Sequence, residues 1–269
     1  MANPVTKAIS ANDVKNGNAV SHVTRGGIIK TLSPPIANSS TGYDMDGRFD
    51  NPRFYRGDSD GLQSTTTYTI AAGADDGTAA DQGSSSSTNS TYDTLFSNSS
   101  STALVGVQYD SDEVKYDYYA SYFRFNNIVA AQGATVQSAY LKINKRAVLF
   151  TSSVDNDFYV AAYDADNQAA PTTAAGLNHS NYTTAEVTWN SATDTGNGTL
   201  RSAANGTVLS SPDIKTVIQE ILDRSGWSSG NSIVLAFYVK AKVTYKHTYI
   251  RVEHYDDSGD VPPQLEITI

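Results

Sequence analysis

The chain has 269 residues, with 19 Lys and Arg against 28 Asp and Glu, 17 Tyr, 8 Phe and no cysteine. That length supports one large β domain or two ordinary ones, and 39% hydrophobic residues argue against wholesale disorder. The missing cysteine excludes disulfides, zinc–thiolate sites, iron–sulfur clusters and thiol nucleophiles.

The net charge of −9 is unevenly spread. Residues 1–56 carry seven basic and four acidic side chains, residues 57–120 one basic and ten acidic, and residues 121–269 eleven basic and fourteen acidic. Phosphate affinity comes from clustered Lys and Arg, so neither nucleic acid nor an acidic membrane is an expected partner. No run approaches the roughly 18 apolar residues of a membrane-spanning helix. The opening residues, Met1 to Lys7, lack an apolar leader core, so the expectation is synthesis and retention in a cytoplasm.

Residues 1–62 read as an extended N-terminal arm. Val23, Ile28, Ile29 and Leu32 are interrupted by Arg25-Gly26-Gly27 and followed by Pro34-Pro35, which stops any helix. The apolar residues are too sparse for a core and too many for a linker. An arm that orders against its own domain, a sister subunit or another protein fits this pattern. Arg25, Lys30, Arg48, Arg53 and Arg56 would face an acidic partner surface.

From Gln63 onward the pattern is β. Residues 63–70 are rich in Thr and Tyr, which favour a pleated, half-buried surface. Residues 71–101 read as a long polar loop that Tyr92, Leu95 and Phe96 could pin down. Ser121–Phe125, Val136–Ile143, Asp157–Tyr163, Ile233–Val239, Val243–Val252 and Gln264–Ile269 complete a set of short strands separated by turn residues. That spacing predicts an all-β, two-sheet sandwich over residues 63–269. One amphipathic helix is expected over about 212–225, because Ile214, Val217, Ile218, Ile221 and Leu222 form one apolar stripe. Ser211-Pro212-Asp213 supplies its N-cap signal, and Gly226 stands where a left-handed C-cap belongs.

Chemical motifs are few. Gly226-Trp227-Ser228-Ser229-Gly230 matches the G-x-S-x-G expression, but a nucleophile elbow needs strand before serine and helix after, the reverse of the order here. No two of His22, His179, His247 and His254 have helical metal-ligand spacing. Acidic pairs two apart, including Asp155/Asp157 and Asp164/Asp166, are an arrangement that grips calcium, but none continues into an EF-hand, and Asp is equally a turn former. No catalytic set emerges, and no cofactor is expected apart from structural Ca²⁺ at those four acids.

Several segments together resemble the DNRLRE-type β-sandwich domain, related to a group of carbohydrate-binding modules. They are Phe123-Arg124-Phe125 with Gly133-Ala134-Thr135-Val136 and Ser138-Ala139-Tyr140-Leu141; Thr188-Trp189-Asn190; the helix with Trp227 and Gly230-Asn231; and Pro262-Pro263-Gln264-Leu265-Glu266-Ile267. The resemblance implies a jelly-roll-like sandwich of the kind found in surface proteins and in some virus particles. It leads to the expectation of a non-catalytic bacteriophage virion protein, a capsid decoration or head-fibre subunit. The arm would dock on a capsid or other virion protein, or on a second copy in a homo-oligomer. The alternative is a carbohydrate-binding module. Exposed Tyr116, Tyr118, Tyr119, Tyr238, Tyr245 and Tyr249 would then contact a cell-surface glycan.

Overall fold

The computed structural model describes residues 21–23, 29–31, 63–99, 102–151, 154–256 and 261–269. The chain divides into two compact units, residues 1–61 and 62–269. In the first, β1 (Ser21–Val23) pairs antiparallel with β2 (Ile29–Thr31), with Val23 opposite Ile29 and His22 opposite Lys30. Two short strands therefore pair with each other within the stretch expected to be an extended arm. Arg25, Ile28, Leu32, Arg48, Arg53 and Arg56 lie outside the described residues.

The described residues of the second unit form twelve strands: β3 (Thr65–Thr69), β4 (Asp76–Ser84), β5 (Leu95–Ser97), β6 (Thr102–Asp110), β7 (Lys115–Phe125), β8 (Ser138–Phe150), β9 (Asp157–Tyr163), β10 (Tyr182–Asn190), β11 (Thr207–Ser210), β12 (Ile233–Val239), β13 (Thr248–Glu253) and β14 (Gln264–Thr268). They run in the order β10-β9-β12-β7-β6-β13-β8-β14-β3, with β4 on β7, β5 on β4 and β11 on β8. Every pairing is antiparallel. Among the described residues strand accounts for 45% and helix for 9%, so the fold is all-β and sandwich-like, built as one strongly curled antiparallel sheet.

Residues 71–101 are not one loop. Asp76–Ser84 pairs with β7, and Leu95–Ser97 pairs with β4. The sequence Asp-Gly-Thr-Ala-Ala-Asp-Gln-Gly-Ser has weak strand propensity of its own. Its small residues instead lie against a Tyr-rich neighbour: a Cβ on Gly77 would sit 2.6 Å from the Tyr122 ring, and Ala79 and Ala80 are fully buried. Phe96 stacks on Tyr122 with ring centroids 6.1 Å apart and planes within 3°. Tertiary burial decides the conformation against local preference here.

Helix α1 (Lys215–Leu222) buries Val217, Ile218, Ile221 and Leu222, as the stripe requires. It is shorter than expected at both ends. Ser211 Oγ accepts from the Leu141 N–H at 3.0 Å, and Asp213 Oδ1 accepts from the N–H groups of Ala139 and Lys215 at 3.0 and 2.9 Å. The expected capping residues thus stitch the chain to β8, and the helix begins after them. Gly226 is not left-handed. What it needs is space, since a Cβ there would lie 2.0 Å from Asp166 Oδ2.

Strand β12 is buried at all seven positions, so both of its faces are covered. Consecutive residues point to opposite sides. On one side Phe237 packs on Phe158 and Trp189, with centroids 5.5 Å apart in each case. On the other, Tyr238 meets Tyr159 at 5.7 Å, Tyr182 at 5.0 Å and His179 at 4.6 Å. The unit therefore has an apolar core and a second, tyrosine-rich layer.

Candidate functional site

Two polar segments roof the tyrosine layer. One contains residues 88–92, tied to β12 by the Thr88–Ala241 bridge and by the Asn89 N–H to Lys240 carbonyl bond of 2.8 Å. The other spans residues 171–181. They are joined to each other, since the Tyr92 N–H donates to Asn178 Oδ1 at 2.8 Å and the His179 N–H donates to the Ser90 carbonyl at 3.1 Å.

Burying tyrosine is inexpensive only when its hydroxyl finds an acceptor. Tyr92 donates to the Val239 carbonyl at 3.1 Å, Tyr182 to the Leu177 carbonyl, Tyr238 to Glu186 Oε2 at 2.8 Å, and Tyr122 to the Ala74 carbonyl at 3.0 Å. Burial pushes all four hydroxyls well above the ordinary phenol range, so they remain protonated donors. Tyr163 is different. It is 5% exposed, and its hydroxyl has no hydrogen-bond partner among the described residues.

Tyr163 lines a pocket of about 410 Å³ with Asp164, Ala165, Gln168, Gly176, Ser180 and Asn181. A Cβ on Gly176 would fall 3.7 Å from the Tyr163 hydroxyl, so a side chain there would crowd the phenol. The Asn181 amide donates to the Ala175 and Gly176 carbonyls at 3.3 and 3.2 Å and fixes the pocket wall. Carboxylate, amide and hydroxyl groups thus converge on a concavity whose buried phenol is unsatisfied. A small polar ligand is the natural complement.

At the far edge of the layer, Glu186 binds Tyr238 and Lys240. Partial burial pushes its carboxyl up, but those two hydrogen bonds outweigh it and hold the group below its usual value. Burial, with the Lys240 charge nearby, lowers His179 from 6.5 to about 4, leaving a neutral imidazole at physiological pH.

The tyrosines expected to form an exposed platform do not do so. Tyr116, Tyr118, Tyr119 and Tyr238 are at most 6% exposed, and a ring so covered cannot stack on a sugar. Tyr249 is half-buried, while Tyr245 is 59% exposed and adopts φ 58°, a left-handed conformation rare for a bulky residue. The Tyr116 hydroxyl holds this turn by accepting from the Tyr245 N–H at 3.0 Å. Period-2 alternation cannot distinguish a wet sheet face from one roofed by distant chain, which is why the four were misplaced.

The acids suggested for calcium have other partners. Asp155 pairs with Arg201 at 2.7 Å, Asp157 accepts from the Asn190 amide at 2.7 Å, and both Asp164 and Asp166 engage Arg224. Guanidinium groups balance the charge at three of the four acids where a cation was expected, and no group of three or more metal-ligating side chains occurs among the described residues. Nor is any described helix long and apolar enough to cross a membrane.

Trp227 in the G-x-S-x-G stretch is buried and donates Nε1–H to the Ala130 carbonyl at 3.0 Å, so the segment serves as a packed turn after α1. His247 and His254 flank β13, one at each end. His247 Nδ1 accepts from the Tyr109 N–H at 3.2 Å, and His254 meets Asp76. The pocket around Tyr163 had no sequence signal beyond the polar character of residues 164–181.

No protein-family model matches the chain, and no curated protein matches it.

Proposed function

We propose that this is a non-catalytic structural protein of a virus particle, of the capsid-decoration or head-fibre kind. The N-terminal unit attaches it to the particle, and the β-sandwich is the displayed body. The observation that carries this reading is the division into a 61-residue unit and a sandwich with a core of its own. The charge gradient agrees with it, since residues 1–56 are net basic and residues 57–120 strongly acidic. An attachment segment and a body that repel different partners need not compete for one surface. The resemblance to DNRLRE-type sandwiches, some of which occur in virus particles, points the same way. Deleting residues 1–61 is expected to abolish incorporation while the sandwich retains its β-rich circular dichroism. Incorporation of the truncated chain at the full-length level overturns the assignment.

A second reading, glycan binding, is favoured by the pocket around Tyr163 in place of the tyrosine platform. A neutral polyhydroxyl ligand would offer the phenol its missing partner and would not disturb the Asp164–Arg224 pair. Titrating neutral oligosaccharides into the protein while following the amide signals of residues 163–168 and 176–181 tests it. Absence of any shift in those signals removes this reading.

A further inference from the structure

The two ends of the long strand path are treated differently. At one end, β10 carries an irregularity between Tyr182 and Glu186, and the freed N–H groups of Thr184 and Ala185 are taken by Glu220 Oε1 and Oε2 at 2.8 and 2.7 Å. A bulge, a covering helix and an exposed charge, Glu186, are standard defences of a sheet edge.

At the other end, β3 has none of these among the described residues. Its sequence is Thr-Thr-Thr-Tyr-Thr, without charge, Pro or Gly, and four of its five residues are exposed. Ser64 and Ile269 exchange both backbone hydrogen bonds, at 3.2 and 3.1 Å, and the Ile70 N–H reaches the Pro263 carbonyl at 3.4 Å. By the alternation of an antiparallel ladder, Thr66 and Tyr68 then bond to β14. Thr65, Thr67 and Thr69 direct their N–H and C=O groups outward, where nothing among the described residues pairs with them.

We propose that β3 is a dimerisation edge and that its partner is β3 of a second copy of this chain. An antiparallel two-fold centred on Thr67 places Thr67 opposite Thr67 and Thr65 opposite Thr69, so every outward group of one copy meets its complement in the other. The intervening pairs set Thr66 against Tyr68, a β-branched residue against an aromatic one. An isologous contact of this kind closes on itself. Glu266 stands in register with Thr67, but Lys142 neutralises it at 2.6 Å, so the axis brings no unpaired like charges together. Beside the edge, Tyr68 and Ile267 line a 250 Å³ groove with Val129, which is 70% exposed, and a second copy would cover it.

The test is sedimentation of the full-length chain over a range of concentrations, alongside Thr67→Pro and Thr67→Lys. Proline is tolerated at an edge position whose N–H faces outward, so the β14 pairing survives. Lysine instead sets two ammonium groups across the axis. The expected result is a wild-type dimer and two monomeric variants with unchanged circular dichroism. A wild-type monomer throughout, or self-association that neither variant reduces, overturns the proposal. Both outcomes are independent of the attachment reading, which depends on residues 1–61.

Discussion

Asp76 and His254 face each other with Nδ1 and Oδ1 3.0 Å apart and both side chains wholly shielded from solvent. The contact lies out of hydrogen-bond alignment, and His254 Nε2 has no partner among the described residues. Asp76 opens β4 and His254 follows β13, so the pair links two strands that are not neighbours in the sheet. Burial drives the Asp76 carboxyl above its ordinary value, while His254 and the Tyr255 N–H, at 2.8 Å, oppose that rise. Removing either member leaves the other buried without its partner. Asp76→Ala and His254→Ala are each expected to cost about 3–5 kcal/mol, and the double variant less than their sum. Urea unfolding of the four proteins measures it, and strict additivity would show that the two side chains act separately.

His179 gives the acid limb of stability a definite shape. Its folded value of about 4 lies below the 6.5 of the unfolded chain, so between those limits the unfolded state binds the extra proton. Stability supplied by keeping this imidazole neutral is complete above about pH 6.5 and is lost as pH falls towards 4. The upper bound on that loss is about 3 kcal/mol. His179→Phe is expected to flatten the stability profile across this window. A variant with the same slope as wild type would place the acid sensitivity elsewhere.

How far the sequence carried these conclusions differs from element to element. The stripe Ile214, Val217, Ile218, Ile221 and Leu222 is a local signal, and α1 follows it. Its ends were misjudged because Ser211 and Asp213 were claimed by β8 and Gly226 by the bulk of Asp166, all contacts between residues distant in sequence. The stretches with strong alternation, such as β14 and the first half of β8, were legible for the same reason as the helix, whereas β8 runs on to Phe150 beyond the expected end at Ile143. Strand β4 was not, because Gly77, Ala79 and Ala80 gain their stability from the β7 tyrosines. The pocket was least legible, since it exists only where a polar roof closes over β9.

Gly106 is expected to tolerate no side chain. Its φ is 122°, and a Cβ would lie 2.2 Å from the Thr248 carbonyl oxygen and 2.6 Å from the Tyr249 Cα. Both obstacles are backbone of β13, which pairs with β6 at this register, so neither can rotate away. Gly106→Ala combines backbone strain with a clash in the sheet, and a loss of about 3 kcal/mol or more is expected. Thermal unfolding decides it, with Gly133→Ala as the comparison, because that glycine has a positive φ of 67° but open space around it.

Tyr163→Phe separates binding from stability. The wild-type hydroxyl is buried without a partner, so deleting it removes a desolvation penalty and no intramolecular hydrogen bond. The variant is expected to be more stable by about 1 kcal/mol. In the same protein, any ligand that completes the phenol should bind more weakly, because its hydrogen-bond partner is gone. Gly176→Ala provides the complementary change. Its methyl would stand 3.3 Å from Pro171 Cβ and 3.7 Å from the Tyr163 oxygen, narrowing the pocket without positive-φ strain. Loss of saccharide binding in both variants, with stability rising in Tyr163→Phe, identifies a site kept for a ligand. A Tyr163→Phe protein that is less stable than wild type would mean the hydroxyl is already satisfied within the fold, and the pocket would lose its claim to a function.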